Sequence, residues 1–171
     1  MLDIFGLPPP ACLVQIPLVI PVIVVDTNVF IGALLSARGR NREVLRGCLT
    51  GRFQAVMGTA LFTEFAAVMS RDGLFEDCPA SPEERQDLFQ AFLSVCRWVN
   101  IFFLWRPNLP DEGDNHVLEL AVAAGAKTIV TNNTRDFLRS ELQFPDIEVL
   151  TPDEFLTTMS RYDDDDDQAG Q

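Results

Sequence analysis

Apolar positions along the chain follow two rhythms. Short unbroken runs alternate with longer stretches in which apolar residues recur every three or four positions. The run Ile20 to Val25, rich in β-branched residues, reads as a buried strand over 19–25. A strand covered on both faces loses the alternation of a half-exposed one, as in a parallel sheet. It stops at Asp26-Thr27-Asn28, three good helix N-cap types, and the apolar stretch Val29 to Leu35 continues as a helix over 28–36. The turn-like Ser36-Ala37-Arg38-Gly39 leads to Asn41, which predicts the N-cap of a second helix. That helix carries Val44, Leu45, Cys48 and Leu49 at helical spacing and closes at Gly51. Phe53 to Met57 predicts a second strand. Thr59 then caps a third helix with the stripe Leu61, Phe62, Phe65, Val68 and Met69, and Glu64 lies just over a turn inside it.

Asp72 to Pro82 reads as a loop. Ser81-Pro82-Glu83-Glu84 places an N-cap Ser, a first-position Pro and two acids at the start of a helix reaching Cys96. Val99 to Leu104 is the third expected strand, and Arg106 to Gly113 a loop. Asp114 opens a helix that runs through Val117 to Ala124 and ends at Gly125. Lys127 to Thr131 predicts the fourth strand. Asn132 to Arg135 is a turn, with Asp136 and a short helix to Glu141 behind it. Ile147 to Leu150 gives a fifth strand, and Thr151 caps a last helix from Pro152 to Met159. Alternation at these lengths means an α/β protein: a three-layer α/β/α sandwich around a mainly parallel five-stranded sheet, with right-handed crossovers. The expected division is an arm over 1–18, one domain over 19–160, and an acidic, disordered tail over 161–171.

Composition narrows the chemistry. A chain of 171 residues, 47% hydrophobic, can bury a real core. Cys12, Cys48, Cys78 and Cys96 are far apart and form no CxxC, which suits reduced thiols in the cytoplasm over a disulfide framework or a zinc site. Met1 to Gly6 holds an acid and no base, and Pro17 and Pro21 interrupt the apolar stretch Ala11 to Val25. Neither a secretory signal nor a membrane helix is expected. The net charge is −12, with five of those charges in Asp163 to Asp167. That balance argues against broad, nonspecific nucleic-acid binding but leaves room for a small site where metal ions mediate contact. Five of the thirteen basic residues, Arg38, Arg40, Arg42, Arg46 and Arg52, crowd into one stretch. They read either as a solvated surface or as a phosphate-contacting edge.

The acids then acquire a place. Asp26 follows the first strand, Asp136 closely follows the fourth, and Glu64 lies near the start of the helix after the second. All three belong to the carboxyl edge of the sheet, where open α/β folds place their ligands. The position of Asp114 at that edge does not follow from topology alone. A single Asp at a strand end is as often a cap as a ligand, and 25 acidic residues allow many foursomes. Carboxylates that do converge raise one another's pKa and are tolerated when divalent cations neutralise them. Oxygen donors without Cys or His suit Mg²⁺ or Mn²⁺ over Zn²⁺. Such ions activate water and stabilise phosphoryl displacement, so the pattern points to a phosphodiesterase.

Four stretches also carry a resemblance. Val24-Val25-Asp26-Thr27-Asn28-Val29-Phe30, Thr59 to Ser70 around Glu64, Asp111 to Ala121 continuing through Gly125-Ala126 and Ile129 to Phe137, and Thr151 to Leu156 together resemble the PIN-domain family in order and spacing. The likeness spans residues 22–158 and is to VapC-type ribonucleases, the toxin components of toxin–antitoxin pairs. It implies a Mg²⁺- or Mn²⁺-dependent endoribonuclease cleaving single-stranded RNA, a cognate antitoxin partner and a homodimer. By resemblance, Asp26, Glu64 and Asp114 hold the metal, and Asp136 acts through a second ion or a bound water. Thr131 and Asn133 match supporting polar positions. Some relatives carry Asp where Asn133 stands, which leaves open whether one metal or two is bound. Asn28 and Thr27 either orient Asp26 or cap the helix. Arg38, Arg40, Arg42 and Arg46 are candidate RNA contacts. His116, the one histidine, reads as packed more than substrate-touching, and Trp98 and Trp105 as core or interface. The alternative from another class is a non-catalytic PIN scaffold that binds RNA or a protein. A Rossmann-like nucleotide binder is set aside, because no glycine-rich loop follows the first strand.

Overall fold

A computed structural model of the chain describes residues 20–36, 38–102, 115–137 and 144–169, apart from the side chains of Asp72, Asp136 and 162–169. Five strands form one parallel sheet: β1 (Val22–Val25), β2 (Gln54–Met57), β3 (Arg97–Trp98), β4 (Thr128–Val130) and β5 (Glu148–Leu150), in the order β3-β2-β1-β4-β5. The helices are α1 (Thr27–Leu35), α2 (Arg40–Leu49), α3 (Thr59–Met69), α4 (Pro82–Val95), α5 (Asn115–Ala124), α6 (Thr134–Phe137) and α7 (Pro152–Ala169). The result is the expected α/β/α sandwich. Ile23, Val24 and Val25 of β1 are at most 1% exposed, which is why their stretch of sequence is continuously apolar. The arm over 1–18 lies outside the described residues.

The core clamps the start of α1. Phe30 meets Phe65 of α3 at 5.1 Å between ring centroids, and Phe92 and Phe89 of α4 at 5.4 and 5.7 Å. The α4 start is as the sequence indicates. Ser81 Oγ accepts from the Glu84 amide at 3.2 Å, and the Ser81 amide donates back to Glu84 at 2.8 Å, closing a capping box. Gly125 ends α5 at φ 64°, a conformation that glycine adopts without a Cβ clash.

Several boundaries differ from expectation. The cap of α2 is Gly39 at φ 129°, not Asn41, whose side chain lies over Gly32 of α1 and leaves no room there for a Cβ. Gly58, not Thr59, precedes α3; a Cβ on it would come within 3.2 Å of Leu120. Of the expected Val99 to Leu104, residues 99–102 are outside any strand and 103–104 lie outside the described residues; the third strand is Arg97–Trp98. As an edge strand it is paired on one side only, so it needs no apolar run, and Trp98 is 53% exposed. Val99 adds one further bond, from its amide to the Met57 carbonyl at 2.9 Å. A short 3₁₀ turn, Asp72–Phe75, interrupts the expected loop because Phe75 is drawn into the core. The sixth helix begins at Thr134, ahead of Asp136. The last helix runs to Ala169, through the acidic stretch where disorder is expected; adding a residue to an existing helix costs far less than starting one.

Candidate functional site

Strand order reverses between β1 and β4, so the crevice at their carboxyl ends is the topological switch point of the sheet. The Asp26 amide donates to the Val130 carbonyl at 3.0 Å and holds the two strand ends together there. Asp26 is the N-cap of α1 by backbone position: its carbonyl accepts from the Val29 amide at 3.0 Å. Its side chain makes no cap bond. Instead Oδ2 accepts from Thr131 Oγ1 at 2.6 Å and from Asn28 Nδ2 at 2.7 Å. Asn28 thus orients the acid, and does not cap the helix.

Thr131 follows β4 and is fully buried. Its hydroxyl oxygen also accepts from Asn28 Nδ2 at 3.1 Å and from the Asn133 amide at 3.0 Å. Asn132 completes the lacing: its amide donates to Asn28 Oδ1 at 2.9 Å, and its side chain to the Asn28 carbonyl at 3.2 Å. Two turns separated by a hundred residues of sequence therefore fix one carboxylate.

Glu64 reaches the same crevice from α3, half-buried, with His116 Nε2 2.9 Å from its Oε2. That contact, more than any other, lowers its pKa, and Arg71 adds to the effect. Asp26 is shifted the other way. Burial raises its pKa, and the Glu64 charge raises it further, while the Thr131 hydrogen bond works against both. The two acids share a cleft of about 370 Å³ whose polar end also includes Thr27, Asn28 and Asn133. Its other end is apolar, formed by Ile31, Gly32 and Leu35 of α1 with Val68 of α3.

Asp26, Glu64, Asn28, Thr131 and Asn133 are thus gathered at one edge. Asp114 lies outside the described residues, as does the Asp136 side chain. Among the described residues, no three His, Cys, Asp or Glu side chains cluster as a metal site. The head of α5 nonetheless reaches this edge. It follows β3, so it starts at the carboxyl side, and it delivers His116 to Glu64 and the 1%-exposed Asn115 beside it. His116 is mostly buried, as expected, but its contact with a candidate ligand went unread. Its position two residues after Asp114 was the available signal.

The arginines divide. Arg40 is engaged by Glu43 at 3.0 Å and Asp153 at 2.8 Å. Arg42 donates to the Ser36 carbonyl at 3.4 Å, close behind Leu35 at the apolar end of the cleft. Arg38 and Arg46 are exposed. Phe62 meets Trp98 at 5.6 Å, so Trp98 packs on α3, while Trp105 lies outside the described residues.

An open parallel sheet with an acid held at its switch point and a second acid facing it defines a class of small α/β domains built around an acidic cleft. The chain belongs to the PIN-domain family, which matches residues 22–135. Its fold is similar to that in the crystal structure of VapBC2 from Rickettsia felis bound to a DNA fragment from their promoter. The TM-score is 0.55 at 17% identity, covering 76% of this chain and 98% of that one. DNA-bound VapBC from Salmonella typhimurium gives a TM-score of 0.52 at 16% identity, covering 78% and 99%. No curated protein sequence matches. Among the described residues, no helix is long and apolar enough to cross a membrane.

Proposed function

We propose that the chain is a Mg²⁺- or Mn²⁺-dependent endoribonuclease that cleaves single-stranded RNA, and the toxin of a toxin–antitoxin pair. One observation carries the reading: Asp26 and Glu64, from different elements, face one cleft at the switch point, with Asp26 braced by the Asn28 and Thr131 side chains. A divalent cation fits these residues. The donors are hard oxygens, two carboxylates are held close enough for one to raise the other's pKa, and the buried Thr27 hydroxyl lacks a hydrogen-bond partner among the described residues. Asp114 and Asp136 complete the acidic set in this reading. Bound there, the cation supplies an activated water and charge neutralisation for phosphoryl displacement.

The chain's own residues do the rest. Thr131 and Asn28 keep the Asp26 carboxylate aimed, and His116 holds Glu64. The apolar end of the cleft receives the base next to the scissile phosphate, with Arg38, Arg42 and Arg46 following the RNA backbone and Arg40 held by its acids. The VapBC structures similar in fold support an antitoxin as partner; a homodimer working in the cytoplasm belongs to the same proposal.

The test is cleavage of a single-stranded RNA with Mn²⁺. Wild type should cut it and stop on chelation. Asp26→Asn, of equal size and able to accept the same two hydrogen bonds, should be inactive yet folded. A fully active Asp26→Asn protein overturns the proposal. A wild type that binds RNA or a protein but neither binds Mn²⁺ nor cleaves would favour the non-catalytic scaffold.

A further inference from the structure

Thr27 is the first residue of α1 and lines the cleft between the two acids, yet it is only 4% exposed. Its Oγ1 is buried and has no hydrogen-bond partner among the described residues. The hydroxyl lies close enough to help lower the Glu64 pKa without reaching hydrogen-bond geometry. Its neighbours contrast with it. Asn28 and Thr131, which meet at the same oxygen of Asp26, each make several hydrogen bonds of 2.6–3.1 Å. A polar group left unpaired in the interior destabilises a fold, and valine has the same shape without the hydroxyl. The oxygen is thus kept at a cost to the empty protein, at the wall of a cleft that has room for a ligand.

We propose that the Thr27 hydroxyl donates a hydrogen bond to an oxygen bound at the acidic centre, a water of the hydrated Mg²⁺ or Mn²⁺. Thr27 is then a positioning residue: with a cation held by the carboxylates, it would orient one of that cation's waters. The inference rests on the metal-dependent reading above. A phosphate oxygen of the substrate presents the same acceptor, and the experiment separates the two.

Thr27→Val and Thr27→Ser are compared with wild type and Asp26→Asn. The readouts are calorimetric Mn²⁺ affinity without RNA, melting temperature without metal, and binding of a single-stranded RNA with Ca²⁺ in place of Mn²⁺, to hold binding apart from cleavage. Thr27→Val should melt at or above the wild-type temperature without metal. It should bind Mn²⁺ three- to tenfold more weakly, with Thr27→Ser within twofold of wild type. Unchanged Mn²⁺ affinity with weakened RNA binding would replace the water by a phosphate oxygen and overturn the assignment to hydration. Thr27→Val melting several degrees lower with both affinities intact would make the hydroxyl purely structural. Wild-type behaviour in all three readouts would leave it without a role. If Asp26→Asn loses Mn²⁺ while Thr27→Val keeps it, this inference alone fails; if wild type binds no Mn²⁺, the metal-dependent reading fails with it.

Discussion

Thr131 shows how much one side chain can carry at the residue scale. Its single hydroxyl donates to Asp26 and accepts from Asn28 and the Asn133 amide, with no access to solvent. Replacing it by valine keeps the shape and takes one hydrogen bond from each of the three, with the Asn28–Asp26 bond left in place. Thr131→Val should therefore cost about 1–3 kcal/mol, read as a drop in melting temperature, and cleavage should fall with it as Asp26 loses its aim. Thr131→Ser should recover most of both. This is the reverse of the Thr27→Val expectation, although both changes remove a buried hydroxyl next to Asp26; the difference is whether the hydroxyl has partners among the described residues. The thiols give a pH test. Burial pushes both Cys48 and Cys96 up to about 12. A raised folded-state pKa means the native state holds its proton after the unfolded chain has lost it. Stability from these groups is complete below the ordinary thiol range near 9 and declines as pH rises from there toward 12. At pH 8 both should resist alkylation in the folded protein and react promptly in urea, because the thiolate is the nucleophile. Fast labelling of either in the native state would contradict the burial.

Among elements, α2 shows a conflict between local propensity and packing. Gly47 lies in its interior, where alanine would favour the helix by about 1 kcal/mol. But a Cβ there would run into the ring of Phe53, which is 2% exposed and packed edge-on against Phe155 of α7 at 4.8 Å. Forcing extra volume into a filled interior costs about 1–3 kcal/mol, so packing wins and Gly47→Ala should lower stability in chemical denaturation. Elements of this kind set the limit of what can be read from sequence. The Ser81-Pro82 start of α4, the buried run of β1 and the glycine end of α5 were legible because each is a local signal. Asn41 and Thr59 look like caps, but tertiary contacts placed glycines in the cap positions. The edge strand β3 carries no apolar signature, and the apolar signal after it comes from Val99 and Ile101, which pack against the core.

Across the whole molecule, what was legible was the convergence and what was hidden was its detail. Parallel topology alone brings Asp26 and Glu64 to one edge. It also brings the head of α5 there, by the ordinary crossover from β3, although this was not drawn from the sequence. No periodicity could show that His116 meets Glu64, that Arg40 is held by Asp153 from α7, or that Thr27 is unpartnered; those depend on how separate elements pack. The most direct measurement of the central claim is diffraction from a crystal soaked in Mn²⁺, recorded at the manganese absorption edge. An anomalous peak in the cleft, within coordination distance of the Asp26 and Glu64 carboxylates and lost in Asp26→Asn, is the expected result. A cleft without manganese in crystals of the wild-type protein, or a peak that persists when Asp26 is replaced, would contradict it.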